Sequence, residues 1–192
     1  MRILHYLGAC AVALIAACSG AIAETPAHAQ IPATGSIEIA FTPGDRIDRL
    51  IVSAIDGAHH EVLVLAYSFT DRSIARALVR ARERGVSVRV VADREQARML
   101  PQNVLQDLVN GGVEVTLDGN FLSAHNKVIV IDAESASATT ITGSYNFTIA
   151  AQRSNAENVV VLRDNVQAAK AYRDNWLRLK GRTTPWGGSP PP

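Results

Sequence analysis

The sequence predicts an α/β domain: a mixed central β-sheet flanked by helices on both faces, one domain per chain. Three observations point there. Apolar runs of strand length recur at residues 62–66, 86–92 and 157–162. Segments with apolar residues at helical spacing lie between such runs, and alternation of this kind builds an α/β sandwich. The chain has 192 residues, 47% of them hydrophobic, which suffices for one well-buried domain and falls short of two of ordinary size.

The elements follow in order. Residues 1–23 read as a secretory signal, with Arg2, an apolar run from Leu7 to Ala17 and a small-residue site at Ala21-Ile22-Ala23. A second cut after Ala29 is open. So is a lipoprotein reading, in which Ile15-Ala16-Ala17-Cys18 would be lipidated and retained at Cys18. The destination is the periplasm or the exterior. Residues 24–36 form an Ala/Pro/Thr-rich flexible leader, and residues 37–180 the folded domain.

Ile37, Ile39 and Phe41 alternate as a strand, which Pro43-Gly44 breaks. Ile47, Leu50, Ile51, Ala54 and Ile55 make one helical stripe, ended by Gly57. Residues 62–66 suit a strand buried on both faces. Asp71 can cap the next helix, which buries Ile74, Ala77, Leu78 and Ala81. Its other side carries Arg72, Arg76, Arg80 and Arg84, a solvated face in preference to a phosphate track.

After the strand at 86–92, residues 93–102 read as a charged, irregular loop near the site. A short helix at Val104, Leu105, Leu108 and Val109 closes at Gly111-Gly112. Val113, Val115 and Leu117 alternate as a strand. Residues 139–142 pair back as another strand, and a short helix begins at Asn146 or later. A final helix from Asn165 aligns Ala168, Tyr172, Trp176 and Leu179, and residues 181–192 form a disordered Pro/Gly-rich tail.

The chemistry gathers around His125-Asn126-Lys127, followed by the β-branched run Val128 to Ile131 and by Asp132. As a strand, this stretch points His125 and Lys127 to one face. An imidazole beside an ammonium suits attack on a phosphate ester. Asp132 falls on the opposite face by parity, and so reads as structural. His59-His60 beside Glu61 is a solvated loop, and Trp176 with Tyr172 belongs to the core or an interface.

His-x-Lys, four residues and Asp, followed by Gly143-Ser144-Tyr145-Asn146 and then Glu157, resembles the HKD motif set of the phospholipase D superfamily. Ala66-Tyr67-Ser68-Phe69-Thr70 and Gly143 to Thr148 resemble its small secreted or periplasmic endonucleases with a single HKD motif. That resemblance implies His125 as nucleophile or acid–base group and Lys127 as partner of phosphoryl oxygens. Ser144 and Asn146 would donate to those oxygens, and Glu157 would accept from the far nitrogen of His125. Asp132 and Gly143 are the motif's structural positions.

No second His-x-Lys exists: the other histidines are followed by the wrong residues. One imidazole cannot both attack phosphorus and protonate the leaving oxygen, so a homodimer sharing one site is expected. No metal or cofactor is expected, because the acids are scattered. Both cysteines, Cys10 and Cys18, lie inside the signal, so a disulfide is not expected in the mature chain.

The net charge of +1 falls to 0 with the signal, since only Arg2 is charged there. Any positive groove must therefore be local, and Arg94, Arg98 and Arg153 are its candidates. The expected activity is metal-independent cleavage of DNA, or RNA, by a sequence-tolerant endonuclease. A phospholipid phosphodiesterase, with Phe121-Leu122 as an exposed apolar loop, and a non-catalytic nucleic-acid-binding module are the alternatives.

Overall fold

A computed structural model describes residue 28 and residues 30–187. The expected signal, with both its cysteines, and the last residues of the tail lie outside the described residues. Fourteen elements follow in order. They are β1 (Ser36–Thr42), α1 (Ile47–Asp56), β2 (Glu61–Ala66), α2 (Arg72–Glu83), β3 (Ser87–Asp93), α3 (Arg94–Met99), α4 (Leu105–Asn110), β4 (Glu114–Asp118), β5 (Lys127–Ile131), β6 (Thr139–Gly143), α5 (Ile149–Arg153), β7 (Glu157–Arg163), α6 (Val166–Lys180) and β8 (Thr184–Pro185). The strands form one sheet in the order β1-β7-β6-β5-β2-β3-β4-β8. The β2–β3 and β3–β4 pairs are parallel and the rest antiparallel, so the sheet is mixed.

Strand β5 sits at the centre, hydrogen-bonded to β2 on one edge and β6 on the other. All its residues are buried. Ile129 and Ile131 enter the core beneath α1, α2 and α4, while Val128 and Val130 enter the core beneath α6. A strand covered on both faces needs a continuous apolar run, which is why four β-branched residues stand in a row. Beneath α6, Trp176 is fully buried and its Nε1 donates to the Val64 carbonyl at 2.9 Å.

Helix α2 starts as its sequence predicts. The Asp71 carboxylate accepts from the N–H groups of Ser73 and Ile74. Arg80 from the arginine stripe pairs with Asp56 at 2.9 Å, and Arg84 reaches the Ile55 carbonyl, so part of that stripe pins α2 to α1.

Two expectations need correction, and a third holds. Residues 94–99 form helix α3 in place of a loop, because the Asp93 carboxylate caps it and Ala97 is buried. Helix α5 starts at Ile149, within the expected bound of Asn146 or later, and is capped by Thr148, whose hydroxyl accepts from the Ala151 N–H. The tail is ordered as far as β8, which pairs antiparallel with β4, and Trp186 donates from Nε1 to Gln106. Pro185 is tolerated there because the outer side of an edge strand needs no donor.

Asp132 leaves the strand at φ +49. Its carboxylate accepts from the N–H groups of His59, His60 and Glu61 at 2.7–2.9 Å. That anchors the turn before β2 to the end of β5, while the His59 and His60 side chains stay exposed.

On the α6 side the sheet is covered unevenly. Over β1 the apolar residues Ile37, Ile39 and Phe41 are 56–58% exposed. Their partners in β7 are Leu162, Val160 and Asn158, so they share one bare face.

Replacing Asp132 with Ala leaves three part-buried N–H groups without a charged acceptor. The expected cost is about 3 kcal/mol, read as a lowered urea midpoint, with Asp132→Asn intermediate. An unchanged midpoint for Asp132→Ala would contradict the anchoring role.

Candidate active site

Antiparallel pairing on either side of β5 brings several strand ends together. The end of β2, the start of β5, the end of β6 and the start of β7 lie side by side at one end of the strands. Lys127, Gly143 and Glu157 stand at those ends. His125 lies just before β5, in a segment latched twice. The Tyr67 N–H donates to the Asn126 carbonyl at 2.9 Å. The buried Asp93 carboxylate accepts from the Ala124 N–H at 2.8 Å, with its other oxygen on the Gln96 N–H.

The Lys127 ammonium lies 3.0 Å from His125 Nδ1 and 2.9 Å from the His125 carbonyl. Lys127 is only 7% exposed. Burial pulls its pKa below the usual lysine value, and the charge of Glu157 opposes that shift. While the ammonium is charged it can only donate, so His125 Nδ1 is the acceptor and the neutral ring carries its proton on Nε2. In that state Nε2 is a proton donor. It becomes a nucleophile when the neutral ring's proton sits on Nδ1.

The Gly143-Ser144-Tyr145-Asn146 turn packs tightly on β7. A Cβ on Gly143 would collide with the Asn158 carbonyl, so only glycine permits this approach. The Ser144 hydroxyl donates to Glu157 Oε2 at 2.6 Å and accepts from the Asn158 N–H at 3.1 Å. The other Glu157 oxygen accepts from Asn155 Nδ2 at 2.9 Å. Tyr145 is buried, and burial pushes its phenol far above the ordinary range. Asn146 is half-buried, and its Oδ1 is enclosed without a hydrogen-bond partner.

Two expected contacts differ from this arrangement. Glu157 bonds Ser144 and Asn155, and not His125, because the turn holds Ser144 directly against β7. The Ser144 proton is directed to Glu157, so its hydroxyl is not free to donate to a phosphoryl oxygen unless that bond opens. Arg94 and Arg98 both reach Glu95, at 3.5 and 3.6 Å, on α3. Arg94 also lies against the Gly119 carbonyl, in the loop leading to His125. Arg153 stands exposed at the end of α5.

Sequence reasoning missed two residues as site components. Tyr67 packs its ring against His125, with centroids 4.3 Å apart. Asp93 holds the approach to His125. The signal for Asp93 was an acid ending an apolar strand run, where no apolar residue is required. Among the described residues no three His, Cys, Asp or Glu side chains gather as a metal site would.

With this geometry in place, residues 51–179 match the family described as cardiolipin synthase, PLD-like domain, which is more than half of the chain. The chain belongs to the phospholipase D superfamily. Among relatives of this superfamily, a phospholipase D of Rickettsia conorii is 38% identical over 144 residues, which are 75% of this chain and 69% of that protein. A solved phospholipase D family member, Nuc from Salmonella typhimurium, superposes with a TM-score of 0.73 at 33% identity, covering 79% of this chain and 97% of that one. NucT from Helicobacter pylori shares the fold, with a TM-score of 0.70 at 23% identity, covering 79% and 99%. The phospholipase D fold and its phosphodiesterase chemistry therefore apply to this chain.

Burial of the Lys127 ammonium has a pH signature. Its folded pKa lies below the unfolded value of 10.5, so the charged form opposes folding. As pH rises from the folded pKa toward 10.5, the unfolded chain binds more protons and the folded state gains stability. The urea midpoint of the wild type should therefore rise relative to Lys127→Met through that window. A constant difference between them would refute the burial effect.

Proposed function

We propose that the protein is an exported, metal-independent endonuclease that cleaves DNA, with RNA as a second substrate, at a site shared by two copies of the chain. The observation that carries this reading is the His125–Lys127 contact where the strand ends meet, with one His-x-Lys pair per chain. The likeness to Nuc, at 33% identity and over 97% of that chain, supports a domain of that type.

The chemistry runs in two displacements. When Lys127 turns from Nδ1 to the phosphoryl oxygens, the ring proton of one His125 passes through solvent from Nε2 to Nδ1; the freed Nε2 attacks phosphorus, a P–N bond forms, and the P–O bond to the leaving oxygen breaks. The protonated His125 of the other copy gives that oxygen its proton. It then takes a proton from water, which attacks phosphorus and breaks the P–N bond. The two Lys127 ammoniums offset charge on the phosphoryl oxygens, and loss of one such contact costs about 100-fold in rate. The exposed Ile37, Ile39 and Phe41 face is the surface we assign to the second copy. It runs to the site edge, because Thr42 follows Phe41 and pairs with Glu157.

The relative named phospholipase D supports a second reading, a lipid phosphodiesterase. Leu122 and Phe121, 98% and 48% exposed in the loop before His125, would then touch the bilayer.

The protein should cleave plasmid DNA in EDTA, His125→Asn should abolish cleavage, and Lys127→Ala should lower it about 100-fold. DNA binding should weaken steeply with salt. Cleavage of phospholipid vesicles alone would overturn the nuclease reading, and loss of all activity in EDTA would overturn the metal-free route. Light scattering should show a dimer, with Ile39→Glu monomeric, folded and inactive. A dimeric, active Ile39→Glu would remove that face from the contact, whereas a fully active wild-type monomer would refute the shared site.

A further inference from the structure

We propose that Tyr67 is a positioning residue, whose ring holds the His125 imidazole and the Lys127 side chain in a single working arrangement. This rests on His125 carrying the phosphodiesterase reaction. Tyr67 is the first residue after β2, and its N–H is bonded to the carbonyl of Asn126, the residue between His125 and Lys127. The backbone thus ties ring and pair to one point.

The ring meets both members. Its centroid lies 4.3 Å from that of His125, with the planes tilted by 58°. Lys127 Nζ lies 4.8 Å from the Tyr67 centroid. Because Nζ is also 3.0 Å from Nδ1, both groups approach the same side of the ring. That side carries the negative lobes of the ring quadrupole, which attract an ammonium and an imidazolium alike.

The ring therefore does two things. It blocks rotation of the imidazole away from Lys127, and it offsets part of what burial costs the ammonium. The charged or titratable groups facing Lys127 are His125 from its own strand approach and Glu157 from β7, with the Tyr67 ring from β2. Glu157 is engaged by Ser144 and Asn155, so the aromatic face supplements it. These contacts come from the ring face and not from the hydroxyl, so phenylalanine should serve in place of tyrosine.

The test compares Tyr67→Phe, Tyr67→Leu and pentafluorophenylalanine incorporated at residue 67, with bis-p-nitrophenyl phosphate as the probe. Pentafluorophenylalanine keeps the ring's shape and inverts its quadrupole. Tyr67→Phe should stay within about twofold of the wild type. Tyr67→Leu and the fluorinated ring should lower kcat about tenfold with KM nearly unchanged, and should move the alkaline limb of the pH profile to lower pH. The His125 ring protons should lose their ring-current shift in Tyr67→Leu. If Tyr67→Leu does not fold, the fluorinated protein decides. Wild-type kcat and pH profile in the fluorinated protein would overturn the proposal, and so would a Tyr67→Phe as impaired as Tyr67→Leu. Absence of turnover by the wild type itself would instead overturn the reaction on which the proposal rests.

Discussion

Strand β5 has a hydrogen-bonded neighbour on each edge and a packed core on each face. Every side chain between Lys127 and Ile131 is removed from water. A lysine at the end of such a strand cannot fully desolvate its ammonium and cannot fully hydrate it either. It finds its partners in the chain just before it, the His125 ring and carbonyl. The reactive pair is therefore a by-product of how the central strand enters the core. The latches at Asn126 and Ala124 keep that entry in one conformation.

Around the pair, polar groups are held by backbone geometry more than by one another. Gly143 lets the β6 and β7 backbones close, which places Ser144 on Glu157. Thr42 accepts from the Glu157 N–H and so ties the edge strand β1 to the same corner. Such preorganisation limits the rearrangement needed when a phosphate arrives. The enclosed Asn146 oxygen, which has no hydrogen-bond partner, is the exception in this corner.

Much of this was legible in the sequence because burial leaves a pattern. The β-branched run of β5, the stripes of α1 and α2 and the Asp71 cap each state their own environment. Helix α3 was hidden because it is six residues long and buries only Ala97, too little for a period to show. The β8 strand was hidden by its proline and by the glycines near it, which signal an irregular chain when their pairing partner is unknown. Within the site, the motif marked His125 and Lys127, yet the local partners of Glu157 and the stacking of Tyr67 depend on strand pairing across the sheet. Periodicity carries no information about contacts of that range.

The last pairing of the sheet has a consequence of its own. Pro185 occupies β8 opposite Thr116, beyond the parallel strands. Lacking an N–H, it cannot template a further strand, so lateral growth by addition of a foreign β-segment is blunted on that flank. Open-ended fibrillar stacking through this border is disfavoured without any charged gatekeeper.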